Sequence, residues 1–146
     1  MYTQIYFSGS IRGGRQLEAT YRTIIDTLKQ FGVVLSEHVG EEGEEAFIDR
    51  GLSDKQIHDR DMRWVEEADL MVAEVTIPSL GVGFEIRRAI ELKKPIICLF
   101  YTHYGNRLSA MIGGSGDITL IRYKRLNELE GALRQFVTAH APRHTS

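Results

Sequence analysis

Five short runs rich in aliphatic and aromatic residues, at about 5–7, 33–35, 69–75, 96–101 and 119–123, are separated by stretches with helical periodicity. This alternation constrains the fold more than any other feature of the chain. Strands covered by helices on both faces read as near-continuous apolar runs, and four of the five runs are apolar enough for that position. With right-handed crossovers, the expectation is an α/β fold. It is a doubly wound three-layer sandwich on a five-stranded, mainly parallel sheet, flavodoxin- or Rossmann-like, in strand order 2-1-3-4-5.

The helical stretches carry their own signals. Leu17, Tyr21, Ile24, Ile25 and Leu28 form one apolar stripe, starting near Gln16, with Gly32 expected as its C-cap. A second helix is expected over 54–67, capped by Ser53 or Asp54. A third is expected over 82–93 and a last one over about 126–139. The longest irregular stretch, 40–53, opens with an acidic, glycine-rich run and suggests a mobile loop at a site rim. The region 102–116 reads as a loop broken by the apolar segment 108–112. The 146 residues make one domain over 1–141, with 142–146 as a flexible tail.

Composition excludes several function classes. A net charge of −2 lacks the basic footprint of a nucleic-acid binder. No apolar stretch approaches the roughly 20 residues needed to span a bilayer, so neither nucleic acid nor membrane is an expected partner. The single cysteine, Cys98, lies inside an apolar strand and reads as a core thiol. The expected compartment is reducing and cytoplasmic, extending to the nucleus. The histidines have no ligand spacing, so neither metal nor other cofactor is expected. There is no G-x-S-x-G elbow for serine hydrolysis.

In α/β sheets, ligands bind beyond the C-terminal ends of the strands, and here the polar loops gather at those ends. The first strand runs straight into Ser10, Ile11, Arg12, Gly13, Gly14 and Arg15 before a helix begins. Glycines free backbone N–H groups to turn inward, and arginine forks match a phosphate, so this turn is a candidate anion site. The plainer alternative is a βα turn with solvated arginines. Ser79 and Gly81 open a second helix in a similar way.

Two acids stand out. Asp61 falls on the apolar stripe of the 54–67 helix, between Ile57 and Trp64, where an unpaired carboxylate would cost several kcal/mol. It therefore needs a partner, an altered pKa or a polar cavity. Glu85 follows Gly81 and Gly83 in what reads as the first turn of its helix, where the dipole favours acids in any case. Together the two suggest the paired carboxylates of glycosyl transfer. Tyr6 either packs in the core or points its hydroxyl at a carboxylate, and His38 follows the second strand.

With these residues in place, the chain resembles the 2′-deoxynucleoside 5′-monophosphate N-glycosidases of the nucleoside 2-deoxyribosyltransferase superfamily. The likeness runs from about Tyr6 to Ile112. It is carried by the blocks YFSGSIRGGR (6–15), EHV (37–39), Asp61 with Trp64, AEVT (73–76) with PSLGVG (78–83), and LSAMI (108–112). The resemblance implies hydrolysis of the bond between base and deoxyribose. Glu85 would be the nucleophile, Asp61 the acid that assists base departure and activates water, and Tyr6 the residue orienting the nucleophile. Ser10, Ile11, Arg12, Gly13 and Gly14, with Ser79 and Gly81, would surround sugar and phosphate, and His38 would lie near the base. It also implies a homodimer in which Ser109 and Met111 reach the neighbouring subunit's site. Ser8 stands where some relatives have cysteine. The competing readings are a nucleoside deoxyribosyltransferase, a ribonucleotide N-glycosidase and a non-catalytic nucleotide-binding module.

Overall fold

The computed structural model describes residues 2–10, 17–36 and 51–142. Its five strands are β1 (Gln4–Ser8), β2 (Val33–Val34), β3 (Leu70–Glu74), β4 (Ile96–Tyr101) and β5 (Thr119–Tyr123). All pair in parallel, in the order β2-β1-β3-β4-β5. The expected α/β architecture and strand order are therefore present. Among the described residues the helices are α1 (Glu18–Leu28), α2 (Asp54–Glu67), α3 (Leu80–Glu91), α4 (Ala110–Gly113) and α5 (Leu129–His140).

The sheet separates two cores. On one face Ile5, Phe7, Leu70 and Val72 pack against α1 and α5 through residues such as Leu28 and Leu133. On the other, Tyr6, Met71, Ala73 and Cys98 pack against Val65 of α2 and Val82, Ile86 and Ala89 of α3. Each fully buried aliphatic side chain contributes about 1.5–3 kcal/mol. Successive strand residues point to opposite faces, so β1 sends Ile5 and Phe7 into the first core and Tyr6 toward the second.

Several boundaries differ from expectation, each for a physical reason. Only β1, β3 and β4 are buried nearly throughout; β2 and β5 are edge strands, and Val33, Thr119 and Arg122 are exposed. Gly32 is not the C-cap of α1, which ends at Leu28 with Lys29 as its cap. A Cβ on Gly32 would lie 2.3 Å from the Thr3 carbonyl oxygen, so glycine there lets the chain close onto β1. α2 occupies the expected span, and Ser53 and Gln56 form a reciprocal capping box at its start. α3 starts at Leu80, earlier than expected, because Ser79 caps it by accepting from the Val82 N–H at 3.2 Å. Glu85 is consequently in the second turn, beyond the reach of the simple helix-start explanation for an acid. The apolar segment in the 102–116 loop forms α4, and a 3₁₀ turn at Leu126–Glu128 precedes α5.

Candidate active site

Tyr6 and Ser8 are two residues apart on β1, so both side chains leave the same face of the sheet, toward α3. There they grip one carboxylate. The Ser8 hydroxyl donates to Glu85 Oε1 at 2.7 Å, and the Tyr6 hydroxyl donates a short bond to Oε2. Tyr6 and Ser8 are buried, while Glu85 keeps a partly open side. The choice left open for Tyr6 is settled on the side of the hydroxyl: the ring packs in the second core and its oxygen reaches Glu85.

Burial pushes the Glu85 carboxyl up to about 7. The Tyr6 and Ser8 hydroxyls pull the other way because they bond the charged form, and Asp61 adds a second negative charge that raises it again. Burial, and then the charge of Glu85, raise the Tyr6 phenol well above its usual range, which keeps it a hydrogen-bond donor. Asp61, from α2, has the partner that its position demanded. Nε and Nη2 of Arg60 both lie 3.0 Å from Oδ1 of Asp61. The Arg60 guanidinium carbon lies 4.7 Å from the centre of the Trp64 ring, and that ring is 6.4 Å from Tyr6. Asp61 is less enclosed than its place on the stripe suggested: its side chain is 22% exposed, and Val65 is the buried residue of α2.

The structure thus brings Tyr6, Asp61 and Glu85 together and adds Ser8 and Arg60, which sequence reasoning did not assign. For Ser8 the signal was there, since it shares a strand face with Tyr6. For Arg60 the signal was its spacing of four from Trp64 on one helix. Ser10 sits at the exit of β1, buried, with its backbone N–H donating to the Tyr21 hydroxyl at 3.2 Å. Ser79 is engaged as the α3 cap, and a Cβ on Gly81 would meet only the Ser79 hydroxyl, at 3.8 Å. Ile11, Arg12, Gly13, Gly14 and His38 lie outside the described residues, as does most of the 40–53 loop.

Ser109 and Met111 lie elsewhere. With Ser79, Leu80, Val82 and Ile86 they line a largely apolar groove of about 840 Å³ between α3 and α4. None of Tyr6, Asp61 or Glu85 lines it. Ser109 accepts from the Met111 N–H at 3.3 Å, while the Met111 side chain is 82% exposed. Among the described residues no cluster of three or more His, Cys, Asp or Glu could hold a metal ion.

Two oxygens of one acid held by hydroxyls, with a second acid alongside, is an arrangement suited to nucleophilic attack and proton transfer. Comparison with known proteins places the chain in a family. The profile of the nucleoside 2-deoxyribosyltransferase family matches residues 5–113. The 5-hydroxymethyl-dUMP N-hydrolase of Mus musculus is 45% identical over 150 residues, covering 97% of this chain and 84% of its own. That of Danio rerio is 47% identical over 138 residues, covering 90% and 94%. Among solved structures, the CMP N-glycosidase BcmB of Clostridium botulinum superposes with a TM-score of 0.62 at 18% identity, covering 91% of this chain and 99% of that one. This last likeness is one of fold.

Proposed function

This chain belongs to the nucleoside 2-deoxyribosyltransferase family, and from that premise we propose that it hydrolyses the N-glycosidic bond of 2′-deoxynucleoside 5′-monophosphates. The products are free base and 2-deoxyribose 5-phosphate. The observation that carries the reading is the Glu85 carboxylate, held by the Tyr6 and Ser8 hydroxyls with Asp61 at its side. In the first step a Glu85 oxygen attacks the anomeric carbon. The bond to the base nitrogen breaks, its electron pair leaves on the base, and Asp61 delivers a proton to that base. In the second step water attacks the same carbon while Asp61 takes its proton, and the ester to Glu85 breaks. Both acids return to their starting states.

In this reading Ser10, Ile11, Arg12, Gly13 and Gly14, with Ser79 and Gly81, bind sugar and phosphate, and His38 lies near the base. The relatives from Mus musculus and Danio rerio are named for 5-hydroxymethyl-dUMP, so that nucleotide heads any substrate panel. The reading also includes a homodimer in which Ser109 and Met111 complete the neighbour's site. Support comes from Leu80, 97% exposed, and Met111 at the edge of the apolar groove, since open apolar side chains grouped in this way are typical of contact surfaces.

The test is base release from dNMPs, the matching NMPs and the unphosphorylated deoxynucleosides, followed by chromatography. Release from dNMPs, without release from deoxynucleosides, is expected. Base exchange on adding a second base would make the chain a transferase, and nucleotide binding without release would leave a binding module.

A further inference from the structure

Arg60 takes no part in the chemistry above, yet it sits against its proton-transfer group. Its side chain is 14% exposed, holds its guanidinium carbon over the Trp64 ring at 4.7 Å, and directs two nitrogens onto a single oxygen of Asp61. Neither contact needs substrate, so Asp61 is oriented in the free protein. We propose that Arg60 is a positioning residue of the glycosidase site: by holding Oδ1 of Asp61 it leaves Oδ2 as the oxygen that gives a proton to the base and then takes one from water. This inference rests on the glycosidase reading.

Oδ1 already accepts two N–H bonds from a cation, so a proton on that oxygen would displace at least one of them. A proton on Oδ2 displaces neither. Trp64 supports the fork from below, because a guanidinium plane stacks on an aromatic face where an ammonium has no comparable fit. The same cation stands close enough to Tyr6 to stabilise negative charge there, against the push of Glu85 and Asp61.

Among the described residues, the charged and titratable groups around the pair can be named element by element. Tyr6 faces it from β1, Arg60 and Asp61 from α2, and Glu85 itself from α3. His58 and Asp59 of α2 bond each other at 2.9 Å in an exposed position, with His58 against Phe84 of α3. Arg88 of α3 is engaged with Glu66 and Glu91. Arg60 is thus the cation bonded directly to the pair among these groups.

The test compares wild type with Arg60→Gln and Arg60→Lys, with thermal unfolding as the check on folding. Arg60→Gln should lower kcat for dNMP hydrolysis about tenfold, a fraction of what general acid–base catalysis supplies, with KM within about twofold. The acid limb of kcat/KM should move upward, because a positive charge close to the Tyr6–Glu85 bond is gone. Arg60→Lys should return that limb toward wild type while recovering only part of kcat, since it restores charge without the two-nitrogen fork. A rise in KM at unchanged kcat would make Arg60 a substrate contact and overturn the proposal, as would an unaltered kcat in both variants. Carboxyl-carbon NMR of Glu85 gives a readout free of turnover. If wild type releases no base while the Glu85 titration still moves with Arg60, the glycosidase reading falls and the contact of Arg60 with the acid pair stands. An unmoved titration overturns the charge argument even in an active enzyme.

Discussion

Glu74 and Glu85 are set against opposite faces of one sheet, and each accepts a short hydrogen bond from a tyrosine, Tyr123 in one case and Tyr6 in the other. Burial raises the pKa of both. Their surroundings otherwise diverge. Glu74 is 0% exposed, and its remaining capacity is taken by the Thr76 N–H at 2.7 Å and the Thr76 hydroxyl at 3.0 Å. Thr76 in turn accepts from the Tyr101 N–H at 2.8 Å and, through its carbonyl, from the Asn106 side chain at 2.9 Å. This network ties the exits of β3 and β4 together and has no open side. Glu85 has two donors and a partly open flank beside Asp61. Burial perturbs an acid, and access decides whether the perturbation serves chemistry or architecture.

The largest expected effect separates the two directly. Glu85→Gln should cut base release by about a thousandfold or more while nucleotide affinity, followed by calorimetry, is kept. Glu74→Gln should leave kcat within a few-fold and instead cost about 1–3 kcal/mol of stability in urea unfolding, because its amide turns a donor toward groups that are themselves donors. Equal losses of activity in the two variants would break the contrast.

The pH dependence sharpens it. Glu85 must be anionic to attack, so kcat/KM should rise through an acid limb near pH 7. Stability runs the other way. The folded pKa of about 7 lies above the ordinary 4.5, so between those values the native state holds more protons than the unfolded chain. The Glu85 contribution to stability is accordingly complete below about pH 4.5 and lost as pH rises through 7. In Glu85→Gln that share of the slope should vanish from unfolding curves taken across this range.

Next in size are the paired tyrosines. Tyr6→Phe should lower kcat/KM by about ten- to a hundredfold and move the acid limb upward, since a bond to the charged form is lost. Tyr123→Phe should be read in unfolding experiments alone, at about 1–3 kcal/mol. The smallest effect belongs to Ser8→Cys. A thiol is a weak donor, and a loss of about threefold in kcat/KM with a small upward move of the same limb is expected. Steady-state profiles would register both, and an unchanged limb in Ser8→Cys would mean that, of the two hydroxyls, Tyr6 alone stabilises the charged form of Glu85.

Elements with strong, unbroken patterns could be read from the chain before any coordinates. The limits of α2, β4 and β5 are where periodicity and capping residues put them. Where several residues could serve one purpose, sequence reasoning was less secure. Ser79 and the following residues gave no sharp start for α3, so Glu85 was placed a turn too early. Gly32 looked like a cap because the constraint on it is the Thr3 carbonyl, which only the fold brings near. Asp61 and Glu85 stood out as acids beside apolar residues. Ser8 did not, because serine is at home in any turn, and Glu74 was absorbed into an apolar strand, since nothing local distinguishes a bonded buried acid from a tolerated one. Arg60 reads as a solvated helix residue until Trp64 and Asp61 are seen beneath it.

The alternation of β1 has a genetic consequence. Its odd positions, Ile5 and Phe7, belong to one core, and its even positions, Tyr6 and Ser8, hold Glu85. The strand cannot shift to accommodate an error, because the Ser36 hydroxyl bonds both the N–H and the carbonyl of Phe7, and β3 pairs with it from Ile5 to Ser8. Loss of the Ile5 codon would put Phe7 where Tyr6 meets Glu85 and send the Tyr6 and Ser8 hydroxyls into hydrocarbon. Codon-deletion scanning should therefore find β1 intolerant even of changes that keep its hydrophobicity.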